Sequence, residues 1–449
     1  MSSSRANLIA MAGVASTTPL SKIRAVNVYR RFWAQIRTSF FWMMVISFAL
    51  RLGYMMIAHS YRFKAIGDNF SFGFEMGRIG RSLATGGGFG NPFNGYTGPT
   101  AWEPPLYALL IAGVFQRFGI YSQASAFILL TLNSIFSALT CILIFLIAKR
   151  CFSERVAVWS AWAWALLPSV MYWSTRWVWE TSLAALLLAV LFWLTLVMEE
   201  REGLKPWLTF AVIWGIAALT NPSLLAFLPA SGLWIWYHRW KLGKRSLAGV
   251  VLASAVFLGC IAPWLIRNYR TFGQPVFLRS NFGAELRIGN GPGANGTWME
   301  YLHPTQNVFE MERYRRLGEM AYVKERKQEA IDFIRQDYGR FLGLSLKRFI
   351  YYWGGVPRQE KIAWLAPMKN AIFLLSSALA FWGLARALRK HRPGAWLFFG
   401  LFLCYPAVYY FVFPHPRYRH PIEPELLILL LYVISEAERK QPRLGSIPS

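Results

Sequence analysis

The chain is divided by charge-poor apolar runs, several of them eighteen residues or longer, which is the length a helix needs to cross about 30 Å of hydrocarbon. Runs at 40–59, 124–148, 247–265 and 366–384 reach this length, and 181–197 falls one residue short of it. Inside a bilayer each backbone amide must find its partner within the chain, so each such run is expected to be helical. Composition agrees: 55% of residues are hydrophobic and 17% aromatic, and the mean hydropathy is +0.32. Soluble domains are about 45–50% apolar. The expected fold is an all-α polytopic membrane protein.

The net charge of +26 does not point to nucleic acid. Lys and Arg fall mostly in short clusters between apolar runs, which is the positive-inside pattern and also suits anionic lipid head groups. Cys141, Cys151, Cys260 and Cys404 lie in or beside apolar runs with no CxxC pair, so they read as structural thiols.

Charge bias orients the chain. Residues 1–39 form a basic tail without a signal-peptide layout and are expected to be cytoplasmic. The first span, 40–59, carries Arg51 and delivers residues 60–123 to the far side as a long first extracytoplasmic loop. Residues 70–84 are expected to form a short helix ended by Gly86, Gly87 and Gly88. The run at 104–118 is too short to span and reads as interfacial. If it crossed, Lys149 and Arg150 would fall outside; as an interfacial segment it leaves them inside. Spans are then expected at 124–148, 156–172, 181–197, 207–219, 224–236, 247–265, 366–384, 395–413 and 422–434. That makes about ten, with basic inner loops, a mixed extracytoplasmic segment at 267–361 after the seventh span, and a cytoplasmic tail at 436–449.

Four polar groups then share the outer face. They are Asp68, Glu75, Arg78 and Arg81; Arg176 and Glu180; Arg267 with Asn268; and His415, Arg417, Tyr418, Arg419 and His420. Any one of them can be read as a solvated helix end. Glu180 resists that reading, because it sits between Trp177 and Trp179 where a helix enters lipid. Glu75 and Arg78 share a helix face. Arg417 and Arg419 suit either a snorkelling belt or a lipid phosphate, whose oxygens match the guanidinium fork. GxxxxGK[ST], HExxH and GxSxG motifs are all absent.

The first loop, with SLATGGGFGNPF and WEPPLYALLIAGVFQRFG, together with TNPSLL, PWLIRNYRTFG and RYRHPIEPELLILL, resembles the GT-C class of polyprenyl-phosphate-dependent membrane glycosyltransferases. That class includes protein O-mannosyltransferase and aminoarabinose transferase relatives. The resemblance covers most of 40–435 and implies a GT-C-type helical bundle. The implied reaction moves a hexosyl or pentosyl group from a polyprenyl-phosphate donor to an extracytoplasmic glycan, lipid or protein, with inversion, in the inner (plasma) membrane. An acidic residue of the first loop would act on the acceptor. Phe72 occupies the position of the family's usual Asp-Glu pair, so Glu75 and Asp68 are both candidates, with Glu180 as the second acid. Arg417, Arg419, Arg81 and Arg267 would contact the donor phosphate. Arg78, Tyr418, His420, Trp102 and Glu103 would line the substrate site. No metal-ligand motif is present; a divalent cation between two acids is an option because some relatives use one. The competing readings are a transporter or flippase for a lipid-linked saccharide, which lacks its inverted-repeat signature here, and a non-catalytic lipid-binding scaffold.

Overall fold

A computed structural model describes residues 35–63, 72–244, 246–357 and 365–440. Asp68 and most of both tails lie outside the described residues. Among those described, the chain is helical, and its one β-type pairing is an isolated bridge between Gly90 and Pro99.

Among the described residues five helices are long and apolar enough to cross a membrane: α1 (Phe40–Ile57), α4 (Gln123–Cys151), α7 (Thr181–Met198), α10 (Leu247–Phe272) and α15 (Leu365–Arg389). Between α1 and α4 come α2 (Glu75–Ala84) and α3 (Pro105–Phe118), which pack along one another. With 14 residues, α3 is about 21 Å long and falls short of the hydrocarbon thickness. At the centre, α4 packs against α1 and α7. The main apolar core, which includes Leu129, Ile144, Trp164, Leu188, Phe192, Phe398 and Ile428, runs through the bundle.

Two expected spans are interrupted. The run at 156–172 divides into α5 (Glu154–Leu166) and α6 (Pro168–Arg176), because Pro168 has no amide hydrogen to continue the ladder. The run at 395–413 divides at Pro406 into α16 (Ala395–Cys404) and α17 (Ala407–Phe411). Between them in sequence, α8 (Lys205–Thr220) ends at Asn221, a 3₁₀ turn follows at Pro222–Phe227, and α9 (Leu228–Lys241) continues the chain.

The segment expected to be mixed is helical, with α11 (Phe282–Gly289), α12 (Val308–Leu317), α13 (Glu319–Gln336) and α14 (Tyr338–Gly354). The helical stretch expected at 310–335 breaks at Gly318, where φ is +74°. Its anchor is Arg348, which is fully buried and donates to the carbonyls of Gly289 and Phe411 and to Asn290. The chain closes with α18 (Pro416–Arg419) and α19 (Glu423–Lys440).

The basic loops gather at one end of the bundle. Arg150 pairs with Glu199 at 2.6 Å, Lys390 with Glu436 at 2.6 Å, and Arg155 with Glu438. Glu199 and Glu180 flank opposite ends of α7, an 18-residue helix about 27 Å long. The polar groups expected outside therefore collect at the end opposite the basic loops.

Candidate active site

At the Glu180 end lies a cavity of about 470 Å³, lined by carboxylates, guanidiniums and aromatic rings from most of the length of the chain. Its first carboxylate, Glu75, opens α2. It is placed by a tight bend in which Gly73 has φ +89° and Phe74 has φ +48°. A Cβ at Gly73 would stand 2.4 Å from the Val178 carbonyl oxygen, so only glycine lets the α2 entry lie against the Val178–Trp179 backbone that leads into Glu180. Glu75 is buried, accepts a hydrogen bond from the Thr305 hydroxyl at 2.8 Å, and has His303 Nε2 at 3.7 Å.

Glu103 enters from the Trp-Glu-Pro-Pro segment just before α3. That segment is held from behind by Glu319, which accepts from the Ala101 amide at 2.7 Å and from the Thr100, Ser280 and Tyr314 hydroxyls. Arg279 donates to Glu103 at 3.0 Å and to the Trp102 carbonyl at 3.1 Å. Burial is the dominant influence on Glu103 and pushes its carboxyl up to about 8 despite Arg279.

Glu180 is the residue before α7. Asn221, in extended conformation at the break after α8, donates to one of its oxygens at 3.2 Å. The other oxygen, Oε2, is buried and receives no hydrogen bond. Burial raises the Glu180 pKa, opposed by Arg417 and Arg279. Glu285 of α11 lines the same cavity, accepts from Asn281 at 3.1 Å, and is likewise raised by burial.

Arg417 closes the cavity from the other side. Its guanidinium lies 4.0 Å from the centre of the Trp179 ring and its Nη2 is 3.4 Å from the Tyr418 hydroxyl. Burial disfavours its charge, but Tyr418, Glu180 and Glu103 more than offset this and raise its pKa. The His415 side chain caps α18 by accepting from the Arg417 amide at 3.2 Å. Aromatic walls are supplied by Phe74, Trp102, Trp177, Trp179 and Trp298.

Of the residues expected from sequence, the structure brings Glu75, Glu103, Glu180, Trp102, His415, Arg417 and Tyr418 together in this cavity. The remainder lie elsewhere, for identifiable reasons. Arg81 is on the far side of α2 with its guanidinium over Tyr121. Arg78 is buried within α2 outside the cavity lining. Arg267 donates to the carbonyls of Thr100 and Phe89, both at 2.6 Å, and sits among the Phe89, Trp264 and Phe272 rings. Arg419 is consumed by Glu423, Ser376, Ser377 and the Phe373 carbonyl. His420 stacks on Trp164. Arg176 donates to the Tyr54 hydroxyl at 2.7 Å. Asp68 lies outside the described residues.

Sequence reasoning missed Arg279, Glu285 and His303, which arrive on the outer segment. It quoted Asn221 in TNPSLL without assigning it a role. Among the described residues no three His, Cys, Asp or Glu side chains are grouped to hold a metal ion. Among the described acids of the cavity, Glu103 is tied to Arg279 and Glu75 to Thr305.

Residues 102–266 match the family model described as dolichyl-phosphate-mannose-protein mannosyltransferase. No curated protein sequence matches the chain. Among solved structures, the archaeal oligosaccharyltransferase AglB from Archaeoglobus fulgidus, in complex with an inhibitory peptide and a dolichol-phosphate, aligns with a TM-score of 0.53 at 14% identity, over 92% of this chain and 51% of that one. ArnT from Cupriavidus metallidurans, bound to undecaprenyl phosphate, aligns over 88% of this chain and 78% of that one at a TM-score of 0.38 and 12% identity. This chain spans about half the length of AglB. It is a multi-pass membrane protein whose fold is similar to that of AglB, and its residues 102–266 match the dolichyl-phosphate-mannose-protein mannosyltransferase model.

Proposed function

We propose that the protein is an integral membrane glycosyltransferase that moves a sugar from a polyprenyl-phosphate donor to an extracytoplasmic acceptor in a single inverting displacement. The observation that carries this reading is the cavity itself. It places Arg417 and Arg279 opposite Glu75 and Glu180 at the end of the bundle away from the basic loops. The family description names dolichyl-phosphate mannose, and AglB was seen with dolichol-phosphate. Both supports share a long-chain lipid phosphate.

In this reading the guanidiniums of Arg417 and Arg279 hold the donor phosphate and stabilise the charge it gains on leaving. The acceptor oxygen or nitrogen attacks the anomeric carbon as the carbon–oxygen bond to phosphate breaks, and the lipid phosphate departs with that electron pair. The acceptor's proton passes to a carboxylate. Glu180 suits that role because it lines the cavity and its buried Oε2 has no hydrogen-bond donor of its own. Glu75, held by Thr305, is the second candidate and Asp68 the third. The aromatic walls supply flat faces for the sugar ring. The basic end and both termini are placed in the cytoplasm and the cavity on the outer face of the inner membrane.

The test is sugar transfer from a labelled polyprenyl-phosphate donor in proteoliposomes, comparing the parent protein with Glu75→Gln, Glu180→Gln and Asp68→Asn. A loss of about a hundredfold or more in at least one variant is expected. Full activity in all three overturns the mechanism.

A further inference from the structure

A second cleft, of about 910 Å³, lies at the basic end of the bundle between α9 and α16 and shares no lining residue with the candidate active site. One wall is apolar. Leu233, Trp396 and Leu403 line it while being 64%, 64% and 60% exposed. On helices read as embedded in a bilayer, side chains this exposed meet acyl chains, so the cleft opens sideways into lipid.

The rim is cationic. Arg150, Lys241 and Arg392 line it, with His238 and His391 beside them and Glu199 as the acid. Glu199 is already engaged by Arg150 at 2.6 Å. Among the described residues Lys241 forms no ion pair, and its ammonium rests 4.6 Å from the centre of the Tyr237 ring. Arg392 stands 3.8 Å from Glu436, a carboxylate that Arg386 and Lys390 hold at 2.8 and 2.6 Å, and its buried Nε has no hydrogen-bond partner. The turn carrying Arg392 is fixed: a Cβ at Gly394 would stand 2.8 Å from the Cys151 sulfur.

A lipid-facing apolar wall that leads to under-neutralised cations at the head-group level selects one class of ligand. Basic pockets between membrane helices at such a face bind anionic head groups, and arginine's fork matches phosphate oxygens. We propose that this cleft binds an anionic glycerophospholipid, with its phosphate between Lys241 and Arg392 and an acyl chain along Leu233, Trp396 and Leu403. The site is separate from the transfer reaction and stands or falls independently of it.

The test is native mass spectrometry of the full chain in detergent, titrated with phosphatidylglycerol or with phosphatidylcholine of the same acyl chains. One phosphatidylglycerol per chain is expected, retained in preference to phosphatidylcholine. The double variant Lys241→Gln/Arg392→Gln is expected to weaken that binding roughly thirtyfold. Lys324→Gln, an exposed charge on the outer segment, leaves it unchanged. Leu403→Trp keeps both charges but fills the apolar wall, and it also weakens binding. Equal retention of the two lipids, or unchanged phosphatidylglycerol binding in both cleft variants, overturns the proposal. Tighter binding of a long-chain polyprenyl phosphate that is lost in the same double variant also overturns it, by assigning the cleft to the carrier.

Discussion

Arg279 donates to Glu103 at 3.0 Å, yet burial pushes the Glu103 carboxyl up to about 8. At neutral pH the contact is therefore mainly a hydrogen bond to a protonated acid, and the Arg279 charge stays available to an anion. Donor binding should follow that proton. Above about pH 8 Glu103 ionises and neutralises Arg279, and the donor KM rises roughly tenfold. Glu103→Gln removes this alkaline rise while keeping a hydrogen-bond acceptor for Arg279. Initial-rate kinetics between pH 6 and pH 9 check it; an unchanged alkaline rise in Glu103→Gln is the contrary result.

The same proton affects stability. The folded-state value of about 8 lies above the ordinary 4.5, so folding favours the protonated form. That contribution is full below about pH 4.5 and is lost as the pH rises to 8. Thermal unfolding in detergent should show a Tm falling across this window, with a shallower slope in Glu103→Gln.

Arg417 and Arg267 separate two roles that look alike in the sequence. Arg417→Ala removes a cavity cation and should raise the donor KM by about tenfold or more with little loss of Tm. Arg267→Gln frees the Thr100 and Phe89 carbonyls and should cost about 1–3 kcal/mol of stability while the folded protein keeps its donor KM. Reversed outcomes would return Arg267 to the phosphate site.

Thr305 orients Glu75 through a 2.8 Å hydrogen bond from the outer segment. Thr305→Val keeps the shape and removes the hydroxyl. If Glu75 takes the acceptor proton, kcat falls about tenfold with the donor KM unchanged. Should Glu180 alone serve as the base, kcat stays near that of the parent protein.

Gly289 ends α11 against the turn before α18. A Cβ there would stand 1.9 Å from the Val412 carbonyl oxygen, and backbone cannot yield as a side-chain tip does. Gly289→Ala should cost about 2 kcal/mol or more, and because Val412 lines the cavity, transfer should fall with it. Tm and single-turnover rate are the readouts.

How much of this was legible in the sequence depended on what each residue needed. Glu180 and Arg417 lie at or near the ends of apolar runs and Glu75 in the polar loop between two of them, so hydropathy and charge bias sufficed to group them on one face. Arg279, Glu285 and His303 lie in a polar stretch with no such frame, and the contacts among α11, α13 and the Trp102 segment bring them in. Arg267 and Arg419 showed the opposite difficulty. An arginine near a helix end looks the same whether it faces a ligand or a set of carbonyl and hydroxyl groups. Pro168 and Pro406 were visible as prolines, but apolar flanks on both sides concealed that each splits a run into two helices.

Three of the cavity's carboxylates, Glu75, Glu103 and Glu180, come from about the first two-fifths of the chain, whereas Glu285, Arg279 and Arg417 follow much later in sequence order. During synthesis those three acids are therefore made before either of the guanidiniums that will face them. A nascent chain halted before Arg417 holds half a site, with carboxylates that stay protonated or hydrated and no second guanidinium to hold a phosphate. Assembly of the cavity thus waits on the last stretch of chain, which brings Arg417 to carboxylates made long before it.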